Sequence, residues 1–316
     1  LKETFLSVVI PVNNPAEQEQ VLAYIGRLAA YLHAHFTDFE IILVNNTLLR
    51  GGYREALAGL EAHLRRQLFL LHLSAPVHRN QAIVAGLDRS NGDYTVIFET
   101  CFLDRPSLIG RLQDLCTDGT DIVYLQAQHR RLPFRYRIPY TLFYWILNRH
   151  SHLAVDDSAH DTRVISRRAL NSLLRLREDI RFMKAVYSII GFRMAAVSVP
   201  DPLPGSGTFG ERFRTSLVAI TSFTDFLRSL LLWIFLGAIG FLLLVIANAV
   251  KVKFTNVDFF GTYHPVMPGW TFLVVLSSIF FAITSLMLYI MSIYLSNIYQ
   301  EIKHRPIYII ESIQRF

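Results

Sequence analysis

Phe5-Leu6-Ser7-Val8-Val9-Ile10-Pro11-Val12, closed by Asn13-Asn14-Pro15, is the stretch from which the fold follows. It is almost wholly apolar, rich in β-branched residues, and too short to cross a membrane. A strand buried on both faces shows such a continuous run, whereas a strand with one wet face alternates. The pattern then switches period. Over residues 16–35, Val21, Leu22, Ile25, Leu28, Ala29 and Leu32 fall on one helical face. Phe39 to Val44 is a second buried strand, ending on Asn45-Asn46. Tyr53 to Arg66 reads as a helix, Leu68 to Leu73 as a third strand, Asn80 to Arg89 as a helix and Tyr94 to Phe98 as a fourth strand. This βαβα alternation predicts an α/β domain with a mainly parallel sheet covered by helices. Ligands of such sheets bind at the carboxyl ends of the strands. The loops 13–15, 45–50 and 99–106 are therefore the places to look for a site.

The rest of the chain changes character. With 316 residues, 52% of them hydrophobic, and a mean hydropathy of +0.32, the composition is apolar for a chain of this kind. Residues 229–250 and 270–296 carry no charged side chain, and each exceeds the roughly 20 residues that cross about 30 Å of hydrocarbon as a helix. They predict two C-terminal transmembrane helices. Arg212, Arg214 and Arg228 precede the first run and Lys303, His304 and Arg305 follow the second, while Lys251 and Lys253 alone supply Lys or Arg between them. By the positive-inside bias, the main domain and both termini are expected to be cytoplasmic, on an integral membrane protein of the bacterial inner-membrane type. Between core and spans, Phe134 to Asn148 mixes Tyr and Phe with Arg135 and Arg137, which predicts an interfacial amphipathic helix. The expected organisation is a core over 1–133, the remainder of that domain over 134–228, a span at 229–250, an outer loop at 251–269, a span at 270–296 and a tail at 297–316.

Charge and sulfur narrow the function classes. A net charge of +6 suits anionic lipid and phosphorylated substrates. The basic residues are dispersed and no nucleic-acid reading motif is present, so nucleic acid is not an expected partner. Cys101 and Cys116 provide neither a disulfide framework nor zinc spacing. The two apolar runs hold no ionisable residue, which argues against a channel or transporter.

The strand-end loops carry a resemblance. Ser7 to Val12, Glu40-Ile41-Ile42-Leu43-Val44, Ala85-Gly86-Leu87-Asp88 with Gly92-Asp93, Asp161 and Arg163 with Ser166-Arg167-Arg168, Pro268-Gly269-Trp270 and the tail Ile298 to Tyr308 occur in the order and spacing of one family. The chain resembles the family-2 glycosyltransferases with a GT-A, Rossmann-like fold, in the branch that moves a sugar from a nucleotide onto polyprenyl phosphate. That branch includes dolichol-phosphate mannose synthase and the bactoprenol glucosyltransferases. The resemblance implies a nucleotide sugar at the strand ends, with Pro11, Asn14, Asn45 and Asn46 in the nucleotide-binding positions. It implies Mg or Mn on an Asp-x-Asp pair, whose place here is taken by the stretch from Glu99 to Asp104, leaving Glu99 and Asp104 as candidate metal ligands. It gives Asp161 the place of a general base or phosphate-orienting residue and Arg163 that of its phosphate partner; a buried ion pair is the structural alternative for these two.

The polar loops depart from the family at nearly every point. Asn13-Asn14-Pro15 stands where the family has Tyr-Asn-Glu, and Asn45-Asn46-Thr47-Leu48 where it has Asp-Asp-Gly-Ser. Glu99-Thr100-Cys101 replaces Asp-Ala-Asp, and Pro202 to Phe209 lacks the family's phosphate-gripping Arg and Lys. A mostly protonated thiol is a poor ligand for a hard divalent ion. Two readings follow. One is a pseudo-enzyme subunit of lipid-linked sugar assembly, a homo-oligomer or a partner of an active glycosyltransferase or flippase, needing no cofactor. The other is an active polyprenyl-phosphate glycosyltransferase with an atypical metal site, in contact with membrane lipid.

Overall fold

A computed structural model of the protein describes residues 2–49, 51–59, 61–117, 119–128, 156, 158–176, 183–201, 269–302 and 308–315, with isolated residues at 141 and through 232–263. The chain divides into two compact units. One comprises 1–148, 152–215 and 305–316 and contains the whole sheet; the other comprises 149–151 and 216–304.

The first unit begins with β1 (Lys2–Val12), whose apolar run is fully buried from Leu6 to Val12. Asn14 then caps α1 (Pro15–His35): its side-chain oxygen accepts from the Glu17 backbone N–H at 2.8 Å, and Pro15 fits the first turn. The helix buries Val21, Ile25, Leu28, Ala29 and Leu32, the stripe read from the sequence. β2 (Phe36–Asn45) follows, then two short helices, α2 (Tyr53–Ala58) and α3 (Ala62–Arg65), where the sequence pattern predicts one. The break has a local cause: Gly59 closes the first helix, and Glu61 is extended (φ −58°, ψ 145°) as it enters the second. β3 (Leu68–Leu73), α4 (Arg79–Arg89), β4 (Tyr94–Ile97), a single 3₁₀ turn (Thr100–Phe102), α5 (Ser107–Thr117) and β5 (Ile122–Ala127) continue the alternation. β6 (Ala159–Ser166), α6 (Arg167–Arg175), α7 (Met183–Ile189), β7 (Met194–Val199) and the C-terminal β8 (Ile310–Arg315) complete this unit.

The eight strands lie in the order β7-β5-β6-β4-β1-β2-β3-β8. β4, β1, β2 and β3 form the parallel centre, while β6 and β8 run antiparallel to their neighbours. An α/β, mainly parallel sheet is thus what the apolar runs predicted. Leu6, Val8, Ile10 and Val12 of β1 join the α1 stripe in one core. Val9 points to the opposite face, where Gly86 of α4 lets helix and sheet meet. A Cβ on Gly86 would lie 2.3 Å from Val9 Cγ1 and 2.9 Å from Val44 Cγ2. At the amino ends of the strands, Ser7 and Asn91 both donate to the buried Glu40 carboxylate at 2.7 Å, fixing the turn that enters β4.

The expectation of transmembrane helices is corrected. The interfacial segment 134–148 lies outside the described residues except for Thr141, and the span at 229–250 is described only at scattered helical positions. The run at 270–296 lies in a helix, α8 (Gly269–Ile302). Among the described residues no helix is long and apolar enough to cross a membrane. That overturns the integral-membrane location and the orientation built on it. The location rested on two long uncharged runs and the orientation on the basic residues that flank them.

The close approach at Gly86 makes a stability prediction. Gly86→Ala should lower unfolding stability by about 1–3 kcal/mol, because overpacking between Val9 and Val44 outweighs the helix-propensity gain of about 1 kcal/mol. Urea melts of the two proteins would show it; a higher midpoint for the alanine variant would contradict the packing described.

Candidate functional site

Two strand ends and the first turns of two helices meet at a single guanidinium. α4 starts at Arg79 because His78 caps it: His78 Nδ1 accepts from the Asn80 backbone N–H at 3.3 Å, and the His78 N–H donates to Gln81 Oε1 at 3.1 Å. The helix thereby fixes where the Arg79 side chain leaves the backbone. Its Nη1 donates to Glu17 Oε1 at 3.2 Å, its Nη2 to Glu99 Oε1 at 3.2 Å, and its Nε to Asp161 Oδ2 at 3.1 Å. Glu17 comes from α1, Glu99 from the end of β4 and Asp161 from β6. β6 runs antiparallel to β4, so its first residues lie beside the carboxyl end of that strand.

Glu99 is the most enclosed of the three, with only 3% of its side chain exposed. Its Oε2 accepts from the Thr162 N–H and hydroxyl, both at 3.1 Å, and Thr162 Oγ1 in turn accepts from the Glu99 N–H. His160 Nδ1 stands 3.6 Å from Oε2, just beyond hydrogen-bond distance. Burial alone would raise the Glu99 carboxyl. The neighbouring His160, the Arg79 charge and the Thr162 bond outweigh it and hold the group down at about 2. Burial likewise opposes the charge on Arg79, but Asp161, Glu99 and Glu17 together keep its pKa above the ordinary arginine value. Three carboxylates face one guanidinium, so the cluster carries excess negative charge. A diphosphate entering here would meet repulsion.

The expected nucleotide-binding residues lie at the same strand ends, and their polar atoms are engaged within the protein. Asn45 is fully buried. Its amide donates to the Leu49 carbonyl at 2.7 Å and to His72 Nδ1 at 3.0 Å, and its oxygen accepts from the Thr47 N–H and hydroxyl. Asn46 donates to Asn13 Oδ1 and the Val77 carbonyl and accepts from the Val77 N–H, tying β2 to the loops after β1 and β3. Asn14 caps α1, and Pro11 is buried in β1 opposite Val44. Arg163 donates to the backbone carbonyls of Asp161 and His160 at 3.1 and 2.7 Å and stacks 3.8 Å from the Tyr187 ring. The Asp161 carboxylate turns instead to Arg79. Arg79 and Glu17 are the members that sequence reading missed. Starting the helix at Asn80 left Arg79 one residue outside any pattern.

A divalent metal does not fit these residues as they stand. Both Glu99 oxygens are engaged. The Cys101 thiol is pushed up to about 12, by burial first and the Glu99 charge second, so it is protonated at neutral pH. Asp104 is half exposed beside Arg105, 3.6 Å away. Among the described residues no group of three or more His, Cys, Asp or Glu side chains is placed to hold a metal ion.

Comparison with known proteins places this cleft in context. No protein-family model matches the chain. An uncharacterised glycosyltransferase of Synechocystis sp. is 26% identical over 98% of this chain and 95% of its own length. The bactoprenol glucosyl transferase of Shigella phage SfV is 25% identical over 97% of this chain and 98% of its own. Among solved structures, a mannosyltransferase of Pyrobaculum calidifontis in complex with GDP-mannose and Mn2+ aligns with a TM-score of 0.42 and 15% identity, over 67% of this chain and 61% of that one. A score that low carries no argument about chemistry. The full-length similarity to glycosyltransferases, bactoprenol glucosyl transferases among them, agrees with the resemblance read from the strand-end loops.

The position of Glu99 sets a pH dependence. Its folded pKa, about 2, lies below the ordinary 4.5. The stability its ionisation contributes is therefore complete above about pH 4.5 and is lost as pH falls through about 2. Between about pH 6 and pH 2.5, wild type should lose about 2–3 kcal/mol more unfolding stability than Glu99→Gln. Parallel pH profiles for the two proteins would contradict the pairing.

Proposed function

We propose that the chain is a GT-A-type glycosyltransferase relative, of the class that uses nucleotide sugars and polyprenyl phosphate, whose own donor cleft is closed. It acts as a non-catalytic subunit in lipid-linked sugar assembly, beside a second copy, an active transferase or a flippase. The observation that carries this reading is the Arg79 bridge to Glu17, Glu99 and Asp161, which occupies the strand-end crevice with the protein's own side chains.

Two further facts support it. Asn45 and Asn46 use both donors and the acceptor of their amides inside the protein, so neither offers an edge to a base without breaking bonds that hold the loops. The cluster's excess negative charge also opposes the transition state of sugar transfer, in which the departing diphosphate gains charge. Catalysis needs groups that stabilise charge where it develops, and here the carboxylates would do the reverse. The strands and their apolar helices are intact, so the fold remains available as a surface for a partner. The competing reading, an active transferase with an atypical metal site, draws on Glu99, a carboxylate kept at the end of β4.

Thermal melts with UDP-, GDP- and CMP-sugars, each with and without Mn2+, separate the two. A ligand at about 100 times its Kd adds about 2.7 kcal/mol, a visible rise in Tm. The proposal expects no rise with any donor. A metal-dependent rise with one nucleotide would replace it with the active-enzyme reading.

A further inference from the structure

At the opposite end of the strands from the Arg79 cluster, two like charges share one aromatic ring. Phe69 lies near the start of β3, with the Arg89 guanidinium 4.6 Å and the Arg315 guanidinium 5.5 Å from its ring centroid. The ring attracts either cation but leaves their mutual repulsion uncancelled. Each arginine has a local reason for its place. Arg89 ends α4, where a cation suits the helix dipole, and Arg315 Nε donates at 3.1 Å to the carbonyl of Arg66, the C-cap of α3. Arg66 is itself an exposed basic residue at this corner. Among the described residues none of the three is in an ion pair, whereas Arg79, Arg105 and Arg168 each meet a carboxylate.

The sheet edge beside this corner is open. β8 ends the strand order and pairs with β3, so among the described residues its outer backbone groups face no strand. The register is regular from Phe69↔Arg315 to His72↔Ser312, and its irregularity comes at the Leu73 end. Arg315 and Ile313 therefore share one face, beside Phe69 and Leu71, and Ile313 is 50% exposed. Proteins guard such edges with bulges and charges. Uncompensated arginines repel a basic strand, and by the same force they attract an acidic one. We propose that the β3–β8 edge docks an extended acidic segment of a partner protein, added as a strand alongside β8. A carboxylate of that segment meets Arg315 and Arg89, and an apolar side chain two positions along covers Ile313, the alternation a strand imposes. Backbone pairing supplies affinity, and the arginines supply the choice of partner. A free or lipid phosphate offers the charge, but no backbone to pair and no side chain for Ile313. The inference rests on the reading of a non-catalytic subunit for having a partner, but its surface is remote from the closed cleft.

The test is fluorescence anisotropy of two labelled peptides, one alternating Glu and Val and one alternating Lys and Val, titrated with the full chain. Wild type should bind the Glu–Val peptide at least about tenfold more tightly than the Lys–Val peptide, and less tightly as salt rises. Arg89→Gln/Arg315→Gln should lose that preference; if the double variant does not fold, Arg315→Glu, at an exposed position, is read in its place. N-methylation of alternate amides in the Glu–Val peptide should abolish binding, because it removes the donors of an added strand. Equal affinity of wild type and variant, or of plain and methylated peptide, would overturn the proposal. Tighter binding to phosphatidylglycerol vesicles than to the peptide, lost in the same variant, would assign the charge to a lipid surface and overturn it too. A nucleotide-dependent rise in Tm would remove the non-catalytic reading and leave the peptide comparison as its own result.

Discussion

A charge taken out of water has to be met by another, and in this protein that constraint falls on Arg79. Its guanidinium reaches α1 through Glu17, the end of β4 through Glu99 and the start of β6 through Asp161. Removing one partner of a buried pair typically costs about 3–5 kcal/mol, because the other is left uncompensated. For Glu99, buried and bonded to Thr162, the neighbouring His160 and the Arg79 charge outweigh burial and hold the carboxyl low. The same contact that completes the electrostatics of the strand ends also occupies them. In this architecture the strand-end crevice is where ligands bind, and here it holds a side chain of the protein itself.

The neighbouring loops follow the same logic. At the end of β2, Asn46 binds both the β1 loop and Val77, and Asn45 closes on Thr47, Leu49 and His72. A buried amide left without partners costs about 1–3 kcal/mol, so in the absence of a ligand these side chains need internal bonds. An Asn-for-Asp exchange makes that possible, since an amide donates as well as accepts and a carboxylate only accepts. Whole-length similarity to glycosyltransferases at 26% and 25% identity therefore coexists with strand-end loops whose polar atoms are used up.

Much of the first unit was legible in the sequence, because burial on both faces of a parallel strand leaves a continuous apolar run. β1, β2 and β3, and the α1 stripe, were recovered almost residue by residue. The single helix read over 53–66 failed at Gly59 and Glu61, where two residues broke a pattern that a window averages over. Arg79 was not legible, since its partners lie 62, 20 and 82 residues away and no local period records a Coulombic contact. The predicted spans rested on two long uncharged runs, and among the described residues no helix is long and apolar enough to cross a membrane.

The central claim, that Arg79 is locked by three carboxylates in the resting protein, is tested most directly by the 15N NMR signal of its Nε–H. A hydrogen-bonded, partly buried guanidinium exchanges slowly with water. The account predicts a protected Arg79 Nε–H at neutral pH, unmoved by nucleotide sugars and exposed by Glu99→Gln or Asp161→Asn. A rapidly exchanging Nε–H in the unliganded wild type would contradict it, because the cleft would then be open and its cation free to meet a donor.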